Sequence, residues 1–442
     1  MIDGWQKMSA AALGREIEVG KIDPVELAEG FLDAIDKHEY RGEIYARTTR
    51  ERALAEAGTA RARAKNGVRR GWLDGVPISW KDLFDTAGTV TEAGSALLKG
   101  RVPSKDAVVL ENATRAGLVC LGKTHMTELA FSGLGLNPVT ATPPNVNDPA
   151  LAPGGSSSGA ATSVAFGLAA AGIGSDTGGS VRIPAAWNNL VGLKTTSGLL
   201  SLEGVVPLCA KFDTVGPLCR SVEDASLLLS AMTGEKAPDL HGASLGGTRL
   251  AVLETVALDQ CRPEPMADFE AALAKFEAAG ATITRFSYQG VARAMQLAAC
   301  LYVVEAYAQW GSVIEADPEK MYGPVRQRFE AGRNFSGVEY ARSWMELEAI
   351  RKAYAALTTG YDAVLVPSSQ ILPPDRERLL NDSDYFISEN LLALNNTRIG
   401  NLMGGCALTL PTGTSGCGIM AMGQPMEEAR LLHLGSALEA AL

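Results

Sequence analysis

The chain has 442 residues, and its composition and charge argue against several classes of protein. Apolar residues make up 46% of the sequence and charged residues 20%, which is typical of a globular protein rather than a disordered chain. The formal net charge of −10 predicts neither nucleic-acid binding nor attraction to an anionic membrane.

The N-terminal segment, the cysteines and the histidines predict a cytoplasmic protein without metal. The chain begins MIDGWQKMSA, which has no basic start followed by an apolar core, so we expect no secretory signal. The longest weakly polar run, 160–174, is too short to span a bilayer. The seven cysteines form no CxxC pair, which is typical of buried thiols in a reducing compartment. The four histidines show no metal-ligand spacing.

The first predicted helix begins at Asp23, whose side chain can cap the free amides ahead of Pro24. Leu27, Phe31 and Ile35 then recur every four residues and predict one apolar face. A second helix, charged and rich in alanine, is predicted over 49–65. These elements precede a change of pattern near residue 72.

From that point short apolar runs alternate with helical stretches. Such alternation predicts parallel strands joined by crossover helices, so we expect an α/β fold with a largely parallel sheet and helices on both faces. The predicted elements are a strand over 76–80 that ends at Lys81, a helix over 107–115, a strand over 118–121, a loop over 140–155, a helix over 160–171 and a tight loop over 172–180.

The sequence changes character again from about residue 255. Residues 255–360 read as a variable helical segment that carries Tyr302, Trp310 and Tyr322. We find no internal repeat and expect one domain over 1–442, with a core at about 70–235 and a return to that core at 361–442. The predicted elements of this region are helices over 266–279, 338–357 and 426–441 and strands over 363–367 and 407–411.

Two glycine-rich stretches carry the candidate chemistry: 154–159 reads GGSSSG, and 174–185 reads GSDTGGSVRIPA. A flexible linker does not explain them, because an apolar helix lies between them. A phosphate-binding loop does not fit, because the glycines are not followed by a Lys-Ser/Thr pair. The remaining interpretation is a catalytic site assembled from two tight loops, in which glycine lets a substrate approach the peptide amides closely.

The second loop suits the stabilisation of an oxyanion. Thr177, Gly178, Gly179 and Ser180 can turn successive N–H groups toward one point, beside which the Ser180 hydroxyl would lie. A serine nucleophile needs a base. Lys81 is the candidate, because burial at a strand end lowers the pKa of a lysine and Ser–Lys pairs replace histidine triads in some enzymes. A surface lysine that snorkels toward water is the alternative.

On these stretches the chain resembles the amidase signature family. The fixed positions of the family signature over 154–185 are filled, and the resemblance extends over nearly the whole chain, most weakly between 235 and 360. His125 departs from the pattern, since the family carries Asn after Gly-Lys-Thr. The further matching stretches are LDGVPI leading to Lys81, GKTHMTE (122–128), VGLK (191–194), Gly216-Pro217, 361–367 and 401–413.

The resemblance implies a Ser–Ser–Lys triad. By position, Lys81 is the base, Ser156 is a bridging serine at an unusual cis peptide bond, and Ser180 is the nucleophile. The oxyanion hole is implied at the amides of Thr177, Gly178, Gly179 and Ser180. Ser157 either hydrogen-bonds within the site or has a structural role. The implied fold is a mixed, largely parallel sheet covered by helices.

Several neighbouring residues have supporting or binding interpretations. We expect Asp176 and Arg182 to form a buried ion pair that braces the loop, although Arg182 could instead bind an acidic group of the substrate. His125 is expected to be structural. Met126, Phe131 and Gly133 are candidate substrate-binding residues, and the aromatic residues named above either line a pocket or belong to the core.

The predicted function is hydrolysis of a small-molecule carboxamide to an acid and ammonia or amine, with no cofactor or metal. A homodimer is the expected oligomeric state. One alternative is the glutaminase component of a tRNA-dependent amidotransferase, although Thr195 stands where that component carries Pro, and Ile183 where it carries Gln. The second alternative is a catalytically inactive scaffold, which the intact triad positions oppose.

Overall fold

The computed structural model describes residues 4–442; residues 1–3, which open the segment assessed for a secretory signal, lie outside this range. The strands are β1 (Tyr45–Thr48), β2 (Pro77–Lys81), β3 (Val119–Thr124), β4 (Ala171–Asp176), β5 (Val191–Lys194), β6 (Thr214–Cys219), β7 (Arg249–Leu253), β8 (Thr282–Phe286), β9 (Ala363–Pro367), β10 (Ala407–Pro411) and β11 (Gly418–Met422). The helices are α1 (Ala10–Glu18), α2 (Pro24–Lys37), α3 (Arg41–Ile44), α4 (Arg50–Lys65), α5 (Val108–Arg115), α6 (Ser158–Ala165), α7 (Arg182–Trp187), α8 (Val222–Thr233), α9 (Pro263–Ala278), α10 (Gln289–Ala316), α11 (Gly323–Glu330), α12 (Gly337–Thr358), α13 (Arg376–Asn381), α14 (Ser383–Met403) and α15 (Glu428–Ala441).

All of these strands belong to one sheet, in the order β1-β3-β2-β4-β6-β5-β10-β11-β9-β7-β8. The prediction of an α/β fold with a large sheet flanked by helices is confirmed. Strand β2 pairs in parallel with β3 and β4, and β7 pairs in parallel with β8 and β9. The other neighbours are antiparallel, so the sheet is mixed and contains more antiparallel pairs than the alternating pattern indicates.

The first predicted helix forms as α2. The Asp23 carboxylate accepts hydrogen bonds from the backbone N–H groups of Val25 and Glu26 at 2.8 and 3.3 Å, which satisfies amides that the helix leaves without partners. Leu27, Phe31 and Ile35 are fully buried, as their spacing predicts. The burial of this face anchors α2 to the protein core.

The prediction of a tight loop over 172–180 is wrong for most of its length, since Ala171–Asp176 is strand β4 in the middle of the sheet. The preceding helix is also shorter than predicted, because it ends at Ala165 and Gly167 follows with a φ of +74°. A β-carbon on Gly172 would lie 2.6 Å from the carbonyl oxygen of Ala160. Glycine is thus needed here for close packing of α6 on β4.

Helix α10 is absent from the elements that the apolar runs predict. It contains a window with a mean hydropathy of 1.3, which by length and composition is sufficient to cross a membrane. Half of that window is buried inside the protein, and the helix packs on α11, α12 and α14. Burial of this extent is typical of a core helix, here in the variable segment.

The sheet brings the two glycine-rich stretches and the lysine together. Lys81 is the last residue of β2, and β4 lies directly beside β2. The turn 177–181 connects β4 to α7, while Ser156 and Ser157 immediately precede α6. Helix α14 lies over α7. The candidate residues therefore meet at one end of neighbouring strands.

Candidate active site

Lys81 lies in the interior, with no exposed surface. Its Nζ lies 2.7 Å from Ser156 Oγ and 2.8 Å from Ser175 Oγ, and both contacts are hydrogen bonds. Burial lowers the pKa of Lys81 to about 7, against the opposing effect of the Asp176 and Asp213 carboxylates. A large fraction of this amine is therefore neutral near pH 7 and can accept a proton.

Ser156 and Ser180 lie in adjacent backbone segments. The peptide bond between Gly155 and Ser156 is cis, as the resemblance implies. The backbone N–H of Ser157 donates to the carbonyl oxygen of Ser180 at 3.2 Å, which joins the two glycine-rich loops. The Ser157 hydroxyl donates to the carbonyl oxygen of Ser175 at 3.2 Å. Among residues 4–442, no hydrogen bond joins the hydroxyls of Ser156 and Ser180.

The turn after β4 presents backbone amides beside Ser180. The Gly179 N–H donates to the Asp176 carboxylate at 2.8 Å, so this amide already has a partner. The N–H groups of Thr177, Gly178 and Ser180 donate to no residue in the described part of the chain. Ser180 is only 4% exposed and borders a cavity. The turn thus presents three of the four predicted amides without partners.

The ion pair between Asp176 and Arg182 is present and completely buried. The carboxylate accepts hydrogen bonds from the backbone of Gly179 and Val181 and from the Asn401 side chain, in addition to Arg182. Burial by itself raises the pKa of Asp176, but the charge of Arg182 outweighs it and the net pKa is lowered. Because Arg182 is engaged in this network, it braces the turn and is not directed at a ligand.

Helix α14 supplies the other wall of the site. Leu394, Thr397, Arg398 and Asn401 follow helical spacing and lie on one face. The Thr397 hydroxyl donates to the carbonyl oxygen of Gly178 at 2.7 Å, and the Thr397 carbonyl accepts from Arg182 Nη1 at 2.7 Å. The helix therefore positions the turn through direct hydrogen bonds.

The cavity at Ser180, together with the open solvent at its mouth, contains about 310 Å³ of space not occupied by atoms. Phe131 and Tyr302 line it, as one interpretation of the aromatic residues predicts. Met126 and Gly133 are buried and do not line it. Trp310 is a core residue whose Nε1 donates to the carbonyl oxygen of Pro207 at 2.8 Å.

His125 lies outside this cavity. Burial lowers the pKa of His125 to about 4, so the imidazole is neutral at physiological pH. Its backbone N–H donates to the carbonyl of Ile44 at 2.9 Å, and its carbonyl accepts from the N–H of Gly159 at 2.9 Å. These contacts agree with the structural role expected for His125.

Three residues of the site were missed by sequence reasoning. Ser175 contacts Lys81, and Arg328 and Arg398 line the cavity. Ser175 lies inside the second glycine-rich stretch, 174–185. Had this part of the stretch been predicted as a strand beside β2, its position would have indicated that Ser175 lies near Lys81. The two arginines lie on α11 and α14, far from any motif.

Comparison with known proteins identifies the family. A model of the family described as Amidase matches residues 26–432. The chain is 33% identical to a 2-amino-5-chloromuconic acid deaminase of Comamonas testosteroni over 449 residues, which cover 98% of this chain and 97% of that protein. It is 30% identical to a Glutamyl-tRNA(Gln) amidotransferase component of Thermobifida fusca over 491 residues, covering 99% and 96% of the two chains.

Among solved structures, a crystal structure of an amidase superimposes with a TM-score of 0.88 at 30% identity, covering 98% of this chain and 100% of that chain. The chain therefore belongs to the Amidase family. It is an enzyme of the class that acts on amide C–N bonds.

Proposed function

We propose that the enzyme hydrolyses a small-molecule carboxamide to a carboxylic acid and ammonia or an amine, through an acyl-enzyme on Ser180. Lys81 is the base, Ser156 relays the proton, and no cofactor or metal takes part. The contact between Lys81 Nζ and Ser156 Oγ at 2.7 Å supports this proposal most directly. In the neutral state of Lys81, the same contact lets Nζ accept the proton of Ser156.

Acylation begins when Ser180 Oγ attacks the amide carbonyl carbon. The Ser180 proton passes to Ser156 as the Ser156 proton passes to Lys81. The amides of Thr177, Gly178 and Ser180 donate to the resulting oxyanion, since they have no acceptor among the residues that the structure describes. The C–N bond then breaks, and the proton returns from Lys81 through Ser156 to the departing nitrogen.

Deacylation repeats these steps with water. Water attacks the acyl carbon and loses its proton toward Lys81. The ester bond to Ser180 Oγ breaks, the hydroxyl regains a proton and the acid is released. The relay requires the Ser156 and Ser180 hydroxyls to come within hydrogen-bond distance when substrate is bound, which is common for catalytic contacts that tighten in the complex.

The test is covalent labelling of Ser180 with a fluorophosphonate, measured by intact mass and by peptide mapping. We expect one adduct per chain on the wild type and none on Ser180→Ala. Ser158→Ala is the matched control, because the Ser158 hydroxyl is buried without a hydrogen-bond partner and so makes no hydrogen bond to the triad. An adduct on Ser180→Ala equal to that on the wild type would contradict the assignment.

The amidotransferase alternative keeps the same chemistry with glutamine as substrate. The resemblance to the Thermobifida fusca protein supports it, while Ile183 and Thr195 depart from the pattern of that class. Glutamine hydrolysis that depends on added tRNA and partner proteins would favour it.

For the free amidase we propose a cytoplasmic location, a homodimer and no nucleic-acid or membrane partner, on the basis of the acidic charge and the thiol pattern. Absence of labelling in the folded wild type would favour an inactive scaffold.

A further inference from the structure

The cavity at Ser180 contains two arginines and no acidic residue. Arg398 forms no hydrogen bond and no ion pair with any residue in 4–442. Arg328 donates one hydrogen bond, to the carbonyl oxygen of Phe131 at 2.5 Å, and its guanidinium lies 4.2 Å from the centre of the Phe131 ring. In a protein with a formal net charge of −10, this is a localised positive site.

The remaining donors of these arginines point to an anionic ligand. A guanidinium has five N–H donors in a planar fork, and buried charges are ordinarily paired. Burial and the repulsion of Arg398 lower the pKa of Arg328 to about 9, and burial lowers the pKa of Arg398 as well. The free enzyme thus holds two like charges near each other at a cost that a bound anion would offset.

Two further observations place this site at the reacting centre. A β-carbon built on Gly178 would lie 3.5 Å from Arg398 Cγ and 3.9 Å from Arg398 Nε, so Arg398 packs against the turn that carries Ser180. The Tyr302 hydroxyl, which borders the same cavity, is buried and has no hydrogen-bond partner among the described residues. The site therefore offers three groups that can donate to one anion.

We propose that the substrate is a small amide that carries a free carboxylate, the monoamide of a short dicarboxylic acid, whose carboxylate binds Arg398 and Arg328 while its amide carbonyl lies at Ser180. This inference rests on the proposed function and specifies its substrate. The small size of the cavity limits the chain to a few carbons. Glutamine fits less well, because none of the described residues that line the cavity has a carboxylate to pair with its ammonium group.

The experiment compares amides with and without the carboxylate. Malonamate, succinamate and glutaramate are each assayed beside propanamide, butanamide and pentanamide, the chains of equal length that lack the charge, and glutamine is included. We expect kcat/KM for at least one monoamide to exceed that of its neutral counterpart by about 100-fold, which corresponds to loss of one buried charge pair. We expect Arg398→Gln to remove this preference, because kcat/KM for the monoamide falls by a much larger factor than kcat/KM for the neutral amide of equal length.

Arg333→Gln is the matched control, because Arg333 is exposed and pairs with Glu315 away from the cavity. It is expected to keep the full preference. Arg398→Lys is expected to retain part of it, since an ammonium keeps the charge and loses the planar fork. Equal or better hydrolysis of the neutral amides, hydrolysis of glutamine alone, or hydrolysis of none while Ser180 is still labelled overturns the carboxylate inference. Absence of labelling in the wild type overturns the proposed function instead.

Thermal unfolding separates a binding role from a structural one. Because Arg398 has no hydrogen-bond or ion-pair partner within 4–442, we expect Arg398→Gln to have a Tm equal to or above that of the wild type. Saturating succinate is expected to raise the Tm of wild type and to have a smaller effect on Arg398→Gln. A lower Tm for the variant together with an unchanged response to succinate would assign Arg398 to the fold and contradict the proposal.

Discussion

The Nζ of Lys81 donates a hydrogen bond to Ser175 Oγ at 2.8 Å, in addition to its contact with Ser156. Lys81 is the last residue of β2 and Ser175 lies near the end of the neighbouring strand β4, so the sheet itself holds both side chains. Two hydrogen bonds thereby orient the flexible four-carbon side chain of Lys81. We infer that Ser175 is a positioning residue, which directs the Lys81 amine toward Ser156.

Ser175→Ala is expected to lower both the rate of Ser180 labelling and kcat by about 10- to 100-fold, because the Lys81 amine is then misplaced. The measurement is the rate of fluorophosphonate inactivation, with circular dichroism to confirm folding. Ser79→Ala is the control, because Ser79 lies on the same strand as Lys81. Its hydroxyl forms a hydrogen bond with the Ser163 hydroxyl at 2.8 Å and none with Lys81, Ser156 or Ser180. Equal slowing in both variants would show a general effect on the sheet.

The activity is expected to depend on pH through Lys81. Only the neutral amine accepts a proton, and burial lowers the pKa of Lys81 to about 7, so kcat/KM should rise as the pH increases through that value. The profile is measured with a neutral amide from pH 5.5 to 9. Lys81→Met should lose about 10²- to 10⁴-fold in rate and show no such rise. A flat wild-type profile over this interval would contradict the role of Lys81 as base.

Asp176→Asn is expected to destabilise the fold by about 3–5 kcal/mol, because it leaves Arg182 as a buried charge without its partner. The free energy of unfolding is measured by urea denaturation. Glu346→Gln breaks the exposed pair with Arg293 and should leave the urea midpoint unchanged. A midpoint for Asp176→Asn close to the wild type would show that the network does not depend on the charge.

Gly179→Ala is expected to destabilise the enzyme by roughly 2–5 kcal/mol and to abolish labelling, through steric overlap and an unfavourable backbone conformation. The φ of Gly179 is +140°, and a β-carbon would lie 2.1 Å from Thr397 Oγ1. Gly178→Ala is the matched variant, because the nearest atom to its β-carbon lies at 3.5 Å. We expect Gly178→Ala to fold with a Tm near that of the wild type, and equal loss of stability in both would contradict this steric account.

The sequence was sufficient for features that depend on local pattern. The spacing of Leu27, Phe31 and Ile35 determined one buried helix face, and alternating apolar runs determined the α/β class. Glycines beside Ser156 and Ser180 indicated a site in tight turns, because each motif lies within a few residues of chain. The same glycines misled the prediction of β4, since in a sheet they also allow a helix to pack closely, and local sequence does not distinguish the two uses.

Only the tertiary structure decided how distant segments meet. The neighbouring strands β2 and β4 bring Lys81 to Ser175, and α11 and α14 bring Arg328 and Arg398 to the cavity beside Ser180. An arginine on the surface and an arginine that lines a cavity look alike in sequence. They differ in whether a carboxylate lies nearby in space, and only the folded structure shows this. For this protein the sequence indicated the residues that we propose as the reacting centre, because they lie in local motifs, whereas packing between remote helices brought two arginines to the cavity beside them.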